Sequence, residues 1–339
     1  MSASRTAARG ETAVAAVLLV ALVLLVVATL ASVTVGTRVL SPAETLAGLL
    51  GHEGIASTVI WELRLPRTLL GLLVGVALGV AGVLAQAVTR NPLADPGLLG
   101  ISAGGAVAVV AGSVFLGLGA GLPRVLLALA GAALATVAVY LFASRSPEGL
   151  TPVNMTLAGM ALTAFLGAAV SATVLLSAST MDQYRFWVVG ALNLPDPAVL
   201  LPAAVPAVAG AILAIVVSGS LNALALGDDT AAALGVAVLR TRLLAGAAVV
   251  LLSGTAVALA GPIAFVGLVI PHIARALVGT DVRRVLAVSA VLGPLLLVTA
   301  DVVGRLVARP AEVQVGVVTA LLGTPFFIWL TRRAKERSQ

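Results

Sequence analysis

Few residues of this chain have side chains that could support catalysis or bind a metal. There is no cysteine, which excludes disulfides, thiol nucleophiles and iron–sulfur ligation. The two histidines, His52 and His272, are far apart and acids are few, which argues against a metal site with several ligands. The single lysine, Lys335, follows Ala334, so the phosphate-binding loop G-x-x-x-x-G-K-[ST] is absent. We therefore expect no enzyme activity and no bound cofactor, and any ATP hydrolysis must come from another polypeptide.

The ionisable residues also avoid the middle of the long apolar runs. Ion-coupled carriers keep such groups at membrane depth because those groups carry the coupling. A membrane-embedded enzyme would need a catalytic pair or a metal cluster there. Both classes are therefore disfavoured, and hydroxyl groups such as those of Thr156 and Thr163 remain as polar candidates for the wall of a pathway.

A short segment between two apolar runs, residues 221–240, has the pattern of a compact helical knob. Asp228 and Asp229 follow Gly227, where carboxylates can accept hydrogen bonds from the free N–H groups of a new helix and suit its positive end. Gly235 can adopt the left-handed conformation that ends such a helix. The knob is either a rigid handle for a partner protein or a surface helix lying on the bilayer.

The composition of the chain indicates that membrane-spanning helices position the residues described above. Hydrophobic residues make up 60% of the chain and the mean hydropathy is +1.15. Because about 20 apolar residues cross a bilayer as a helix, the apolar runs predict an all-α, polytopic, single transmembrane domain over residues 1–339. The long run 243–274 divides at Gly261-Pro262. The ten predicted spans are 13–34, 68–89, 98–117, 124–144, 153–177, 198–219, 242–260, 263–278, 284–304 and 314–331.

An even number of spans places both termini on one side of the membrane. Placing them in the cytoplasm puts most Lys and Arg residues on that side, in agreement with the positive-inside rule. The sequence pI of about 11.1 is then explained by orientation in a cytoplasmic membrane, not by binding of nucleic acid.

A glycine stripe follows one face of the second predicted span. Gly71, Gly75, Gly79, Gly82 and Gln86 are spaced by three or four residues, so they share a helical face. Small residues allow a neighbouring backbone to approach closely, and Gln86 can form a hydrogen bond across the contact. Tight helix packing is the favoured interpretation, and a role in lining a pathway is the alternative.

Five stretches of this sequence together resemble a known family of membrane proteins. They are Arg64-Leu-Pro-Arg67 with the glycine stripe, 91–104, 225–235, 261–272 and 316–329. In this order they are similar to the FecCD-type permeases, the membrane subunits of type II ABC importers for iron siderophores, haem and cobalamin. The resemblance extends from about residue 60 to the end of the chain.

The resemblance implies a ten-helix subunit that works with a second copy or with a homologous permease. It implies two ABC ATPase subunits on the inside, which would hold ATP and Mg, and an extracytoplasmic substrate-binding protein on the outside. The knob would sit in a cleft of the ATPase. Asp229 stands where many members have Glu or another polar residue, whereas the residues that match the family pattern are Gly227, Asp228, Ala231, Leu234 and Gly235.

The resemblance also implies that Arg64, Arg67 and Arg305 meet carboxylates of the binding protein. The alternative is local pairing, because Asp301 and Arg305 are four residues apart on one predicted helix and Glu62 precedes Arg64. The expected function is import of an iron chelate, with ferric siderophore as the first candidate and haem or cobalamin as the alternative. An ion-coupled carrier that works alone is the remaining hypothesis.

Overall fold

The computed structural model describes residues 2–52, 54–119, 121–147, 151–175, 187–193 and 196–336, and all regular structure within these ranges is helical. A π-helical turn (Val59–Arg64) joins the helices Ile55–Thr58 and Leu65–Thr89, and 3-10 turns (Pro96–Leu99 and Pro197–Val199) precede the helices that begin at Ile101 and Leu200. The α-helices are α1 (Ser2–Thr34), α2 (Pro42–Leu49), α3 (Ile55–Thr58), α4 (Leu65–Thr89), α5 (Ile101–Phe115), α6 (Leu122–Ser144), α7 (Pro152–Leu175), α8 (Leu200–Leu224), α9 (Asp228–Ala233), α10 (Val238–Ala260), α11 (Val266–Val278), α12 (Val282–Val307) and α13 (Val315–Glu336).

The chain is an all-α, multi-pass membrane protein. Three shorter apolar helices are Ile101–Phe115, Val266–Val278 and Val315–Leu330. Within the described ranges, seven helical stretches are long and apolar enough to cross a bilayer, namely Thr12–Thr34, Ile55–Thr89, Leu122–Ser144, Val153–Leu175, Pro197–Leu224, Val238–Ala260 and Val282–Val307.

The second helical stretch begins earlier than the predicted span 68–89. It is helical from Ile55, so Arg64 and Arg67 lie within the helix. Basic residues normally mark the end of a span, but here their guanidinium groups find carbonyl and carboxylate partners on neighbouring helices. The polar groups are thereby satisfied, and the helix continues through them.

Helix α4 lies at the centre of the bundle. It packs against α12, α10, α11 and α8. Its side chains Leu70, Val74 and Leu84 are fully buried. By contrast, α1 and α7 leave most of their surface uncovered. The core is therefore a group of helices around α4, with α1 and α7 at its periphery.

The bundle has two functional ends. The end that carries residues 221–240 and the C-terminus of α4 is called the knob end below. The opposite end carries the start of α4 and the end of α12, where Arg64, Arg67 and Arg305 are found, and is called the arginine end.

Candidate coupling and docking sites

The knob is a one-and-a-half-turn helix with a glycine-terminated C-terminus. Gly235 has φ 81° and follows the last turn of α9. The N–H of Val236 donates to the carbonyl of Ala231 and the N–H of Gly235 donates to that of Ala232, both at 2.9 Å. This pair of bonds is the Schellman pattern, which satisfies the last carbonyls of a helix. The knob is therefore a rigid, locally closed unit.

One face of the knob is bound to the bundle and another is apolar and uncovered. Ala231 is fully buried, in the contact that α9 makes with α8. Leu226 and Leu234 are 65% and 63% exposed, although they lie at a polar end of the protein. Exposed leucines on a rigid protrusion at that end fit a surface that a second protein covers.

Asp228 connects the knob to two other helices. Its carboxylate accepts from the guanidinium of Arg90, at the end of α4, and lies 2.9 Å from that of Arg242, near the start of α10. The sequence predicts that Asp228 caps the helix; its oxygens instead receive these two arginines, because α9 brings it between them. All three side chains are part-exposed, so each pair adds little stability, but together they fix where the knob sits.

Arg90 reaches Asp228 from an uncommon backbone conformation. It has φ 50° and ψ 30°, the left-handed region, at the C-cap of α4. A residue with a Cβ is rarely found there, because the conformation costs free energy that glycine does not incur. The arginine side chain at this position supplies a contact with the knob that a glycine could not.

The glycine stripe is a packing seam between α4 and two other helices. A Cβ at Gly75 would overlap the backbone of Pro294, and one at Gly79 would lie 2.7 Å from the carbonyl of Ser289 on α12. At Gly82 a Cβ would overlap Gly267 on α11. At Gly75, Gly79 and Gly82 backbone therefore meets backbone, as in small-residue contacts between membrane helices, whereas Gly71 faces the side chains of Leu192 and Val298.

At the end of the seam, Gln86 supplies a hydrogen-bond donor that α11 lacks. Pro271 has no N–H, so the carbonyl four residues earlier, that of Gly267, lacks its helical donor. The Gln86 amide donates to this carbonyl at 3.3 Å and to that of Leu268 at 3.4 Å. Its side-chain oxygen in turn accepts from Arg275. Gln86 is 4% exposed, so its amide is almost fully removed from water, whereas Arg275 is half-buried.

Asp95 closes the turn that follows α4 at the knob end. Its carboxylate accepts from the N–H of Gly97 at 2.8 Å and caps the 3-10 turn Pro96–Leu99. Burial raises the pKa of the Asp95 carboxyl, because removal from water disfavours the charged form, and the hydrogen bond from Gly97 opposes this only partly. The turn thereby holds Pro96 against Gly267 of α11.

At the arginine end, a buried carboxylate joins two of the three predicted docking arginines. Arg67 donates to both oxygens of Asp301 at 2.7–3.2 Å, and Arg305 lies 2.9 Å from the same carboxylate. Arg67 also pairs with Glu312 at 2.6 Å, where the carboxylate is 35% exposed. The local pair between Asp301 and Arg305 is therefore present, and Arg67 is the arginine nearest to an exposed acid.

The other contacts of the cluster are with the end of α1. Arg64 donates to the carbonyls of Val33 and Thr34, at 3.1 and 2.6 Å, and to that of Arg38 at 2.7 Å. Arg305 donates to the carbonyls of Ser32 and Val35, both at 3.0 Å. The last carbonyls of a helix lack intrahelical donors and carry partial negative charge, so arginines are suitable partners for them. Arg64 and Arg305 are 5% and 2% exposed.

The two predicted pathway threonines lie on α7. Thr163 is exposed, and Thr156, one turn from the start of the helix, is half-buried. Small residues beside Thr163 are exposed as well, among them Ala164, Gly167 and Ala168. Large apolar side chains such as Met160 and Phe165 are exposed on α7 too, so its exposed surface, away from the glycine seam, mixes small, hydroxyl and large apolar groups.

Comparison with known proteins decides which family this architecture represents. The model of the FecCD transport family matches residues 24–333, nearly the whole chain. The chain belongs to the FecCD transport family. It is 43% identical over 308 residues to the ferric enterobactin transport system permease protein FepD of Escherichia coli, covering 91% of this chain and 92% of FepD. It is also 43% identical over 306 residues to the Fe(3+)-citrate import system permease protein YfmD of Bacillus subtilis, covering 90% and 91%.

A solved structure has the same architecture as this FecCD permease. It is a metal-chelate type ABC transporter in an inward-facing conformation, with a TM-score of 0.81 and 28% sequence identity over 94% of this chain and 99% of the other. Membership of a transport family, together with the apolar helices, makes the chain a multi-pass permease of the inner membrane. In the part of the chain that the structure describes, no three His, Asp or Glu side chains are grouped so that they could hold a metal ion.

Sequence reasoning identifies the knob and the seam of this FecCD permease but misses their partners. Arg90, Arg242, Arg275 and Glu312 carry no motif, and their roles come from contacts between distant parts of the chain. One signal was available for Gln86, because Pro271 within an apolar run always leaves a carbonyl that needs a donor.

Proposed function

We propose that this FecCD permease is the membrane subunit of an ATP-driven importer that carries a ferric siderophore into the cytoplasm. The names of FepD and YfmD, which refer to ferric enterobactin and Fe(3+)-citrate, support an iron chelate as the substrate. The observation that carries the mechanism is the knob, a rigid unit with exposed leucines that is joined to the central helix through Asp228 and Arg90.

A separate ABC ATPase drives the permease through the knob. Leu226 and Leu234 enter its cleft, with Gly227, Asp229 and Gly235 shaping the turns on either side. When the ATPase subunits close, they displace the knob, and the contacts of Asp228 pass the movement to α4 and α10. ATP and Mg are bound by the ATPase, and this chain contributes the knob that the ATPase moves.

The bundle crosses the membrane ten times, with the three shorter apolar helices α5, α11 and α13 also spanning. The knob end faces the cytoplasm and carries both termini. Its arginines support this orientation, because basic residues accumulate at the cytoplasmic ends of spans. Those at or next to helix ends here are Arg90, Arg145, Arg240, Arg242, Arg283 and Arg284.

Two permease copies, or this chain and a homologous permease, enclose the pathway between them. The exposed surface of α7 around Thr163 supports this arrangement, because within the described residues its hydroxyl, small and apolar side chains are left open to a second subunit. A wall of this kind lets a large chelate pass without binding it tightly. Selectivity then resides mainly in the substrate-binding protein.

The binding protein docks at the arginine end, with Arg67 and Glu312 at the contact. Carboxylates of the binding protein would replace Glu312 on the Arg67 guanidinium, in the fork geometry that arginine favours. Docking by Arg64 and Arg305 stays a prediction, since each already holds the end of α1. Reversing Arg67 to Glu should weaken capture of the binding protein, most strongly at low salt. Unchanged affinity would remove Arg67 from the interface.

The substrate assignment is tested by uptake in cells that lack this gene and express it again from a plasmid. Labelled ferric siderophores, haem and cobalamin are supplied in parallel, each together with a substrate-binding protein that binds it. We expect only a ferric siderophore to be accumulated in a way that depends on the restored gene. Gene-dependent uptake of haem or cobalamin, without uptake of any siderophore, would contradict the assignment.

A further inference from the structure

A cavity of about 590 Å³ lies beside the knob and away from the seam and the arginine end. It is lined by the C-terminal part of α4, the second half of α6 and the first half of α10, together with Leu99 and Met155. One lining residue, Arg242, is also the partner of Asp228 on the knob. Its volume lies in the range of pockets that bury small ligands. Nothing in the proposed transport cycle uses it.

Among the described residues that line this cavity, one, Arg242, carries a charge. The hydroxyls of Thr89 and Thr136 lie in the wall but donate to the carbonyls of Ala85 and Ala132 on their own helices, at 2.7 and 3.0 Å. Arg242, whose guanidinium is paired with Asp228, and Tyr140 are the other described lining residues that carry a polar group. The cavity is therefore amphipathic, with an apolar body and a cationic group at the knob end.

The length of the cavity corresponds to one leaflet of a bilayer. Along α10 its lining extends from Arg242 to Leu251. At a rise of about 1.5 Å per residue this is about 13 Å along the helix axis. One half of a hydrocarbon core is about 15 Å thick. Arg242 lies close to the start of α10, where a span meets the interface.

The mouth of the cavity opens on an apolar surface. Val137 of α6 and Leu243 of α10 line the cavity and are 54% and 51% exposed. On membrane-spanning helices such residues face hydrocarbon, so an acyl chain can enter sideways from the bilayer.

We propose that this cavity binds one acyl chain of an anionic phospholipid of the knob-end leaflet, with the lipid phosphate on Arg242. The side chain of Arg242 is 31% exposed and its guanidinium can pair with a phosphate while Arg90 retains Asp228. Basic groups between membrane helices on the cytoplasmic side select anionic head groups. The inference rests on the proposed function only in that the proposed function makes the knob-end leaflet the cytoplasmic one.

The test measures lipid binding to the full-length chain in detergent by native mass spectrometry, with phosphatidylglycerol and phosphatidylcholine as probes. Gly246 lines the cavity, and a Cβ there meets no atom within 4 Å, so Gly246→Phe is chosen to place a ring in the space. Ala209→Phe on the exposed face of α8 adds the same ring outside the cavity and serves as the matched control. Arg242→Gln removes the cation, and Arg242→Lys keeps it.

We expect the wild-type chain and Ala209→Phe to retain one tightly bound phosphatidylglycerol, and Gly246→Phe to bind it at least about tenfold more weakly. Arg242→Gln should lower the preference for phosphatidylglycerol over phosphatidylcholine by about tenfold, the effect of one hydrogen bond to a charged group, and Arg242→Lys should restore it. Equal binding by Gly246→Phe and the wild type would overturn the proposal. A Gly246→Phe variant that loses dimers but keeps its lipid would also overturn it and make the cavity an interface between copies. The assay contains no ATPase, binding protein or chelate, so failure of the transport proposal would leave its result unaffected.

Discussion

At the scale of single residues, Gln86 compensates for the hydrogen-bond donor that Pro271 removes. The proline leaves the Gly267 carbonyl without a helical donor, and the glutamine on the facing helix supplies one. Within a membrane such a carbonyl cannot be satisfied by water, so the donor has to come from the protein. The same amide accepts from Arg275, which fixes its orientation.

This account predicts that Gln86→Leu lowers the free energy of unfolding by about 1–3 kcal/mol, because a buried carbonyl and Arg275 lose their partner. Pro271→Ala restores an N–H for Gly267, so Gln86→Leu should cost less in that background. The measurement is a double-mutant cycle on thermal unfolding in detergent, with Pro206→Ala on α8 as the control background. Additive effects of Gln86→Leu and Pro271→Ala would show that the two residues do not compensate each other.

At the scale of elements, α1 is held mainly at one end. Little of its apolar span is buried, whereas its last carbonyls accept from Arg64 and Arg305, and the carbonyl of Gly36, just after the helix, accepts from Arg309. We expect Arg64→Ala combined with Arg305→Ala to speed amide hydrogen exchange at residues 32–38 by more than tenfold. Arg67→Ala is the control, because Arg67 contacts Asp301 and Glu312 but no carbonyl of α1. Unchanged exchange in the double variant would exclude a role for these arginines in holding α1.

The second prediction at this scale concerns the contact between α9 and α4. Asp228→Asn and Arg90→Gln each break the pair that connects the knob to the central helix. Exposed ion pairs are worth up to about 1 kcal/mol each, so we expect transport-coupled ATP hydrolysis to fall by up to about fivefold while the protein still inserts. Arg240→Gln removes an exposed charge near the knob and should have little effect. Normal coupling in both Asp228→Asn and Arg90→Gln would refute the idea that this pair passes movement to α4.

At the scale of the whole molecule, sequence patterns specify the elements better than the contacts between them. Glycine spacing predicts a shared face on α4, and Gly227 and Gly235 bracket a short helix, because both patterns depend on local geometry. The pairing of Arg90 with Asp228 spans 138 residues and follows from how α4 and α8 end side by side. The sequence pattern places Arg64 and Arg67 before the span for a similar reason, since only the packed bundle shows the carbonyls that accept from Arg64 and the carboxylates that accept from Arg67.

The central claim is that this FecCD permease is a passive conduit moved by a separate ATPase. The direct test reconstitutes the purified chain in liposomes, alone or with its ATPase and binding protein, and measures accumulation of a labelled ferric siderophore. The account predicts uphill uptake only when the ATPase, the binding protein and ATP are all present, and slower uptake by Asp228→Asn. Uphill uptake by the chain alone, driven by an ion gradient, would contradict it.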